Sequence, residues 1–86
     1  MHPPPNDALI EQISRQEFDA LVNLYDAFAH AKDPFDQAAD KAEATFNETV
    51  QVWYDVLVQG KLPFQDFRMA VIKRCKVRII NELNKR

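Results

Sequence analysis

The chain has 86 residues, of which 47% are hydrophobic and 28% are charged, and its formal net charge is −2. This length allows one domain, and the single Trp, two Tyr and six Phe exclude a chain that is disordered throughout. One glycine and one cysteine argue against an all-β fold, a glycine-rich phosphate loop, a disulfide framework and a zinc site of several cysteines.

The N-terminal residues are rich in proline and predict an extended or disordered tail over residues 1–6. They have neither the basic part nor the apolar part of a secretory signal peptide. No stretch of the chain approaches the 18 consecutive apolar residues of a transmembrane helix. We therefore expect a cytoplasmic protein without a membrane partner, and a lone cysteine fits that reducing compartment.

Two helices are predicted in the first third of the chain. A short one covers residues 7–13, with Asn6 as its N-cap, and a longer one covers residues 15–31. Ser14 and Glu17 have the spacing of a capping box at the start of the longer helix. Apolar residues recur along it every three or four positions, which predicts one buried face. This face consists of Phe18, Leu21, Val22, Leu24, Tyr25 and Phe28.

The next predicted helix covers residues 34–59. Asp33 is its expected N-cap, Pro34 suits the first helical position, and Gly60 is expected to stop it. Its apolar face is expected to consist of Phe35, Ala38 or Ala39, Ala42, Phe46, Val50, Trp53 and Leu57. Near the end of this helix apolar residues surround most of the axis, which indicates cover by another helix or by another subunit.

The last predicted helix covers residues 63–84. Its β-branched residues leave a strand as the alternative, but a strand needs a partner strand and no other segment predicts one. Cys75 falls on the apolar face and is expected to be a buried small hydrophobe. Three long helices with short connections predict an all-α fold, an antiparallel three-helix bundle with a short extra N-terminal helical turn. Residues 7–86 would form this single domain.

Charge is distributed unevenly along the chain. Residues 1–62 hold four basic and eleven acidic residues, whereas residues 63–86 hold seven basic and two acidic ones. Three interpretations are open: the last helix packs beside acidic helices of the same chain, it packs against an acidic face of a second copy, or it binds nucleic acid. The third interpretation makes the protein a nucleic-acid-binding regulator. Its candidate phosphate contacts are Lys73, Arg74, Lys76, Arg78, Lys85 and Arg86.

Catalytic and metal sites are not predicted. The acidic residues around His30 lack the spacing and the glycine of a calcium loop, and two of them, Asp33 and Asp36, are explained as helix-start residues. The two histidines lie in the tail and near a turn, so neither is an obvious base for Cys75. We therefore expect no enzymatic activity, cofactor, metal or small-molecule substrate.

The leading prediction is a helical protein-interaction or self-association module. A chain of this length buries only about 60–65% of its surface, so its core is marginal. Apolar residues of the last two helices exceed what one neighbouring helix covers, and a homodimer would bury them. The candidate interface consists of Val52, Tyr54, Val56, Val58, Met69 and Ile80.

Overall fold

The protein is described by a computed structural model over residues 5–85, with side chains from Ala8 onward. These residues form four helices and no strand: α1 (Pro5–Ile10), α2 (Arg15–Ala29), α3 (Gln37–Leu57) and α4 (Phe64–Asn84). The three long helices make an antiparallel three-helix bundle, and α1 packs against α4 as a short extra helix. The predicted fold class is confirmed.

The sequence correctly predicts the first residue of α2 but not that of α1. The Ser14 hydroxyl accepts a hydrogen bond from the backbone N–H of Glu17 at 3.2 Å, and α2 begins at the predicted residue, Arg15. By contrast, α1 begins at Pro5, within the segment predicted as a tail, and ends at Ile10. The rest of that predicted tail, residues 1–4, lies outside the described residues.

Helix α3 begins three residues later than predicted, because Asp36 caps it in place of Asp33. The Asp36 carboxylate accepts hydrogen bonds from the backbone N–H groups of Ala38 at 2.9 Å and Ala39 at 3.2 Å. The Asp33 carboxylate accepts one from the N–H of Phe35 at 2.9 Å, which closes a turn before the helix. Phe35 therefore stays outside the helix and is 86% exposed, although the sequence predicts it on the buried face.

The chain leaves α3 through two consecutive residues with left-handed backbone. Gln59 has a φ of 52° and Gly60 a φ of 78°. The helix ends at Leu57, two residues before the predicted end, because Gln59 already leaves the helical path, and Gly60 continues the turn in a conformation that glycine adopts without steric cost. The short connection that follows turns the chain back into α4 at Phe64.

The core lies where α2, α3 and α4 meet. The rings of Tyr25 and Phe28 pack edge to face at 5.5 Å, and Phe28 contacts Phe46 in the same manner at 5.3 Å. Among the residues that the structure describes, no polar or charged side chain is buried. The buried residues are Ile10, Ile13, Leu21, Tyr25, Ala39, Ala42, Phe46, Val50, Val58, Phe67, Val71 and Cys75.

Trp53 lies at the margin of this core, although the sequence predicts it inside. Its side chain is half-buried, whereas Phe46 and Val50 on the same helix are fully buried. The reason is that Trp53 faces the first part of α2, where Glu17 and Ala20 supply no large apolar side chain to cover it. Within residues 5–85, none of the helices combines the length and the apolar composition that crossing a bilayer requires.

Candidate interaction surfaces

Two arginines of α4 form ion pairs within the chain. The Arg78 guanidinium donates to the Asp19 carboxylate of α2 at 2.5 Å and to Glu82 at 3.4 Å. The hydrogen bond to Asp19 is the main reason that the pKa of Arg78 is raised. Arg74 donates to Glu11, in the turn between α1 and α2, at 3.2 Å. These contacts support the interpretation that basic α4 is partly balanced by acidic residues of the same molecule.

A third arginine connects α4 to α3. The Nε of Arg68 donates to the side-chain oxygen of Asn47 at 2.7 Å, and one of its Nη atoms lies 3.8 Å from the Glu43 carboxylate. Its guanidinium also lies 5.9 Å from the centre of the Phe46 ring, within the range of a cation–π contact. Arg68 thus covers one edge of the core.

The candidate phosphate contacts are divided between paired and unpaired positions. Arg74 and Arg78 are the arginines already paired with carboxylates. Arg86 lies outside the described residues. The remaining three side chains are exposed: Lys73, Lys76 and Lys85. The six residues therefore do not present six free cations on one patch.

Two members of the candidate interface lie inside the molecule. Val58 is 1% exposed and belongs to the core, because it follows directly on the end of α3, where the chain turns toward α4. Tyr54 is half-buried, and its ring packs edge to face on Phe64 at 5.4 Å. The Tyr54 hydroxyl donates to the backbone carbonyl of Leu62 at 2.5 Å. Val58 therefore offers no exposed surface to a second molecule, and the Tyr54 hydroxyl is already hydrogen-bonded within the chain.

Two other members, Val52 and Val56, line a groove between α2 and α3. Their side chains are 61% and 57% exposed, and Trp53 lies beside them. The groove has a volume of about 460 Å³. We call it the Trp53 groove, and its residues are Glu17, Ala20, Thr49, Val52, Trp53 and Val56. The sequence pattern does not indicate Glu17, Ala20 and Thr49 as neighbours of the valines, since only the packing of α2 on α3 brings them together.

The last two members, Met69 and Ile80, lie on a separate surface of α4. Both are more than half exposed, and so is Leu83. At 100° per residue, Ile80 lies about 180° around the helix from the buried Val71. We call this surface the outer α4 face, and its exposed residues are Met69, Lys73, Lys76, Ile80 and Leu83.

A second groove, between α2 and α4, is lined by charged groups and by the apolar side chains of Val22, Ile79 and Leu83. The Nδ1 of His30 lies 2.6 Å from the Asp26 carboxylate on α2, and Arg78 of α4 pairs across the groove with Asp19 and along its own helix with Glu82. In the part of the chain with described side chains, His, Cys, Asp and Glu do not gather in groups of three or more that could hold a metal ion.

Cys75 is confirmed as a buried residue of α4. Burial raises the pKa of its thiol to about 12, since a thiolate would lose its hydration among apolar side chains. The thiol is therefore protonated at neutral pH, and nucleophilic chemistry requires the thiolate.

Comparison of the chain with protein-family models, curated proteins and solved structures finds no match. The surfaces of the chain itself are therefore what indicates a function. Of these, the Trp53 groove and the outer α4 face are the two that expose several large apolar side chains together.

Proposed function

We propose that the protein is a small non-enzymatic interaction module that associates with itself through the Trp53 groove. One observation carries this proposal: two valines, both more than half exposed, flank a half-buried tryptophan in a groove between two helices. Tryptophan is enriched at the energetically important centres of protein interfaces. A groove of this kind accepts the apolar face of a helix.

Apolar surface of the groove that remains in contact with water favours a complex in which it is buried. Burying the exposed remainder of Val52 and Val56 stabilises a complex by about 1 kcal/mol for each residue. Trp53 adds the larger apolar area of its indole ring. Isolated exposed valines are common on protein surfaces, whereas an aliphatic and aromatic cluster in a concave site is typical of binding.

Nucleic-acid binding has less support. Arg74 and Arg78 donate to carboxylates that would have to be released before either residue could contact a phosphate. The chain is also acidic overall, with a net charge of −2, so its long-range field disfavours a polyanion. The exposed lysines of α4 are better matched by an acidic protein surface.

The test is the mass of the protein in solution, measured by light scattering as a function of concentration. We expect a mass above that of the 10.0-kDa monomer, which decreases on dilution. Val52→Lys places a charge in the groove and is expected to keep the protein monomeric. Gln51→Lys is the matched control, because Gln51 is exposed on another side of α3 and the charge change is the same.

Trp53 reports on the groove directly, as the chain contains one tryptophan. If the groove is the binding surface, the fluorescence emission of Trp53 shifts to shorter wavelength over the concentration range in which the mass increases. A wild-type mass that stays at the monomer value at every concentration would rule out self-association. An increase in mass with unchanged emission would place the contact elsewhere.

A further inference from the structure

We infer that the Trp53 groove of one copy binds the outer α4 face of a second copy, so that the protein assembles head to tail. This inference rests on the proposed self-association and adds the identity of the opposing surface. It assigns a role to the exposed residues of α4 that neither the core nor the ion pairs use.

The first argument is the spacing of the outer α4 face. Its members occupy positions 69, 73, 76, 80 and 83, alternately four and three residues apart. That spacing is the one with which a helix presents a continuous seam to a neighbouring helix. Met69, Ile80 and Leu83 supply apolar side chains along this seam, and none of them contributes to the core of its own molecule. The seam extends for about 21 Å, which is longer than the groove that receives it.

The second argument is charge complementarity. Glu17 lines the Trp53 groove on α2, and Glu48 and Asp55 are exposed on α3, both on the side of Val52 that faces away from Trp53. On the outer α4 face the charged residues are Lys73 and Lys76, between the apolar ones. Acidic residues thus lie along both edges of the first surface, and two lysines lie between Met69 and Ile80 on the second. Opposite potentials of this kind orient two partners and set the register of the contact.

The third argument is the relative position of the two surfaces. Tyr54 contacts Phe64 and Phe67 of α4, and Val52 lies about 160° around α3 from Tyr54. The groove therefore opens on the side of α3 that faces away from α4. The outer α4 face, in turn, points away from the core. Since each copy uses two different surfaces, the contact is heterologous and further copies can add to either end.

The expected contact is weak. One helix face in a short groove buries an area at the low end of specific interfaces, about 1,200 Å² or less in total. Assembly should therefore develop between about 10 µM and 1 mM protein, the range of weak protein interfaces. It should also decrease from about 50 mM to about 500 mM salt, because salt screens the pairing of exposed charges.

The experiment uses two variants of the full chain that each destroy one surface. Val52→Lys places a charge in the Trp53 groove and leaves the outer α4 face intact. Ile80→Gln with Leu83→Gln removes apolar side chains from the outer α4 face and leaves the groove intact, and Gln is compatible with a helix. All substituted side chains are more than half exposed, so each variant should fold, as circular dichroism will show. The control is Val77→Gln, a half-exposed apolar residue of α4 that lies beside the seam but not at one of its five positions.

Light scattering then distinguishes the outcomes. Wild type and Val77→Gln should grow beyond the dimer mass with concentration, and each surface variant alone should remain a monomer. Their equimolar mixture should form a one-to-one dimer and nothing larger, because a single intact pair of surfaces remains between them.

Three results would overturn the inference, of which the first two leave the proposed function standing and the third does not. If Ile80→Gln/Leu83→Gln assembles like wild type while Val52→Lys does not, the groove binds another surface and the proposed function remains. A mixture in which both variants stay monomeric, as each does alone, would show that the two surfaces do not bind each other, and the proposed function again remains. If wild type itself is monomeric throughout, the proposed self-association fails as well.

Discussion

Cys75 is a fully buried residue whose side chain can ionise. Its thiol lies in the core with Val71 and Phe67, and burial raises its pKa from an ordinary 9.0 to about 12. Tyr25 has a raised pKa for the same reason, with a smaller contribution from the nearby Cys75. Both groups are therefore neutral in the folded protein at neutral pH, and neither can ionise without bringing a charge into apolar surroundings.

We predict that the alkaline stability of the fold depends on Cys75. The pKa of the Cys75 thiol is higher in the folded protein than in the unfolded chain. Its contribution to the free energy of unfolding is therefore fully present below pH 9.0 and is lost as the pH rises toward 12. Between these two pH values the free energy of unfolding decreases by up to about 1.4 kcal/mol per pH unit. Urea unfolding at several pH values measures it, with Cys75→Ala as the comparison. The variant should be less stable at neutral pH, because it leaves a small cavity, but should lose less stability in alkali. Parallel curves for the two proteins would contradict the prediction.

Among the structural elements, α3 best shows how a helix start is selected. Asp33 and Asp36 are both good N-cap residues, and both accept backbone hydrogen bonds. Asp36 accepts two, from the first turn of the helix, while Asp33 stabilises the turn before it. The helix start therefore follows Asp36, and Pro34 and Phe35 remain in the connection.

We predict that Asp36→Ala destabilises the protein by about 1–2 kcal/mol, because two N–H groups of α3 lose their partner. Asp33→Ala is the matched control and should cost about 0.5 kcal/mol or less, since its hydrogen bond lies in an exposed turn. Urea unfolding of both variants gives the comparison. Equal losses, or a larger loss for Asp33→Ala, would mean that the helix begins earlier.

The start of α3 also illustrates what the sequence can and cannot predict. Apolar spacing identifies the helices and most of their buried faces, because a 3.6-residue period leaves few alternatives for residues such as Leu21, Phe46 and Val71. Whether Asp33 or Asp36 caps α3 depends on a small difference in free energy between the two helix starts. The local sequence does not reveal that difference. The Trp53 groove was only half predictable: exposed valines on α3 are visible in the sequence, whereas their proximity to Ala20 results from tertiary packing.

For the whole molecule, stability is concentrated in a small core. A domain of this size has a free energy of unfolding of roughly 5 kcal/mol. The aromatic cluster of Tyr25, Phe28 and Phe46 and the aliphatic residues around it occupy the centre. Trp53 contributes to the margin of this core and to the groove at the same time.

We predict that Phe46→Ala unfolds the protein, since replacing a fully buried Phe by Ala costs about 3–5 kcal/mol. Trp53→Ala should cost about half as much, roughly 2 kcal/mol, because part of its side chain is already hydrated. Thermal denaturation followed by circular dichroism should show a cooperative transition for Trp53→Ala and none for Phe46→Ala. An unfolded Trp53→Ala variant would assign Trp53 to the centre of the core.

The ion pair between Arg74 and Glu11 joins residues that are 63 positions apart, and the pair between Arg78 and Asp19 joins residues 59 apart. During synthesis at about 5–20 residues per second, roughly 3–13 s pass between the appearance of Glu11 and that of Arg74. All residues of α2 and α3 are made before Arg74, so α4 is not yet present to pack on them in that interval. Because both ion pairs join α4 to the first 19 residues, the three-helix core can close only after nearly the whole chain has been made.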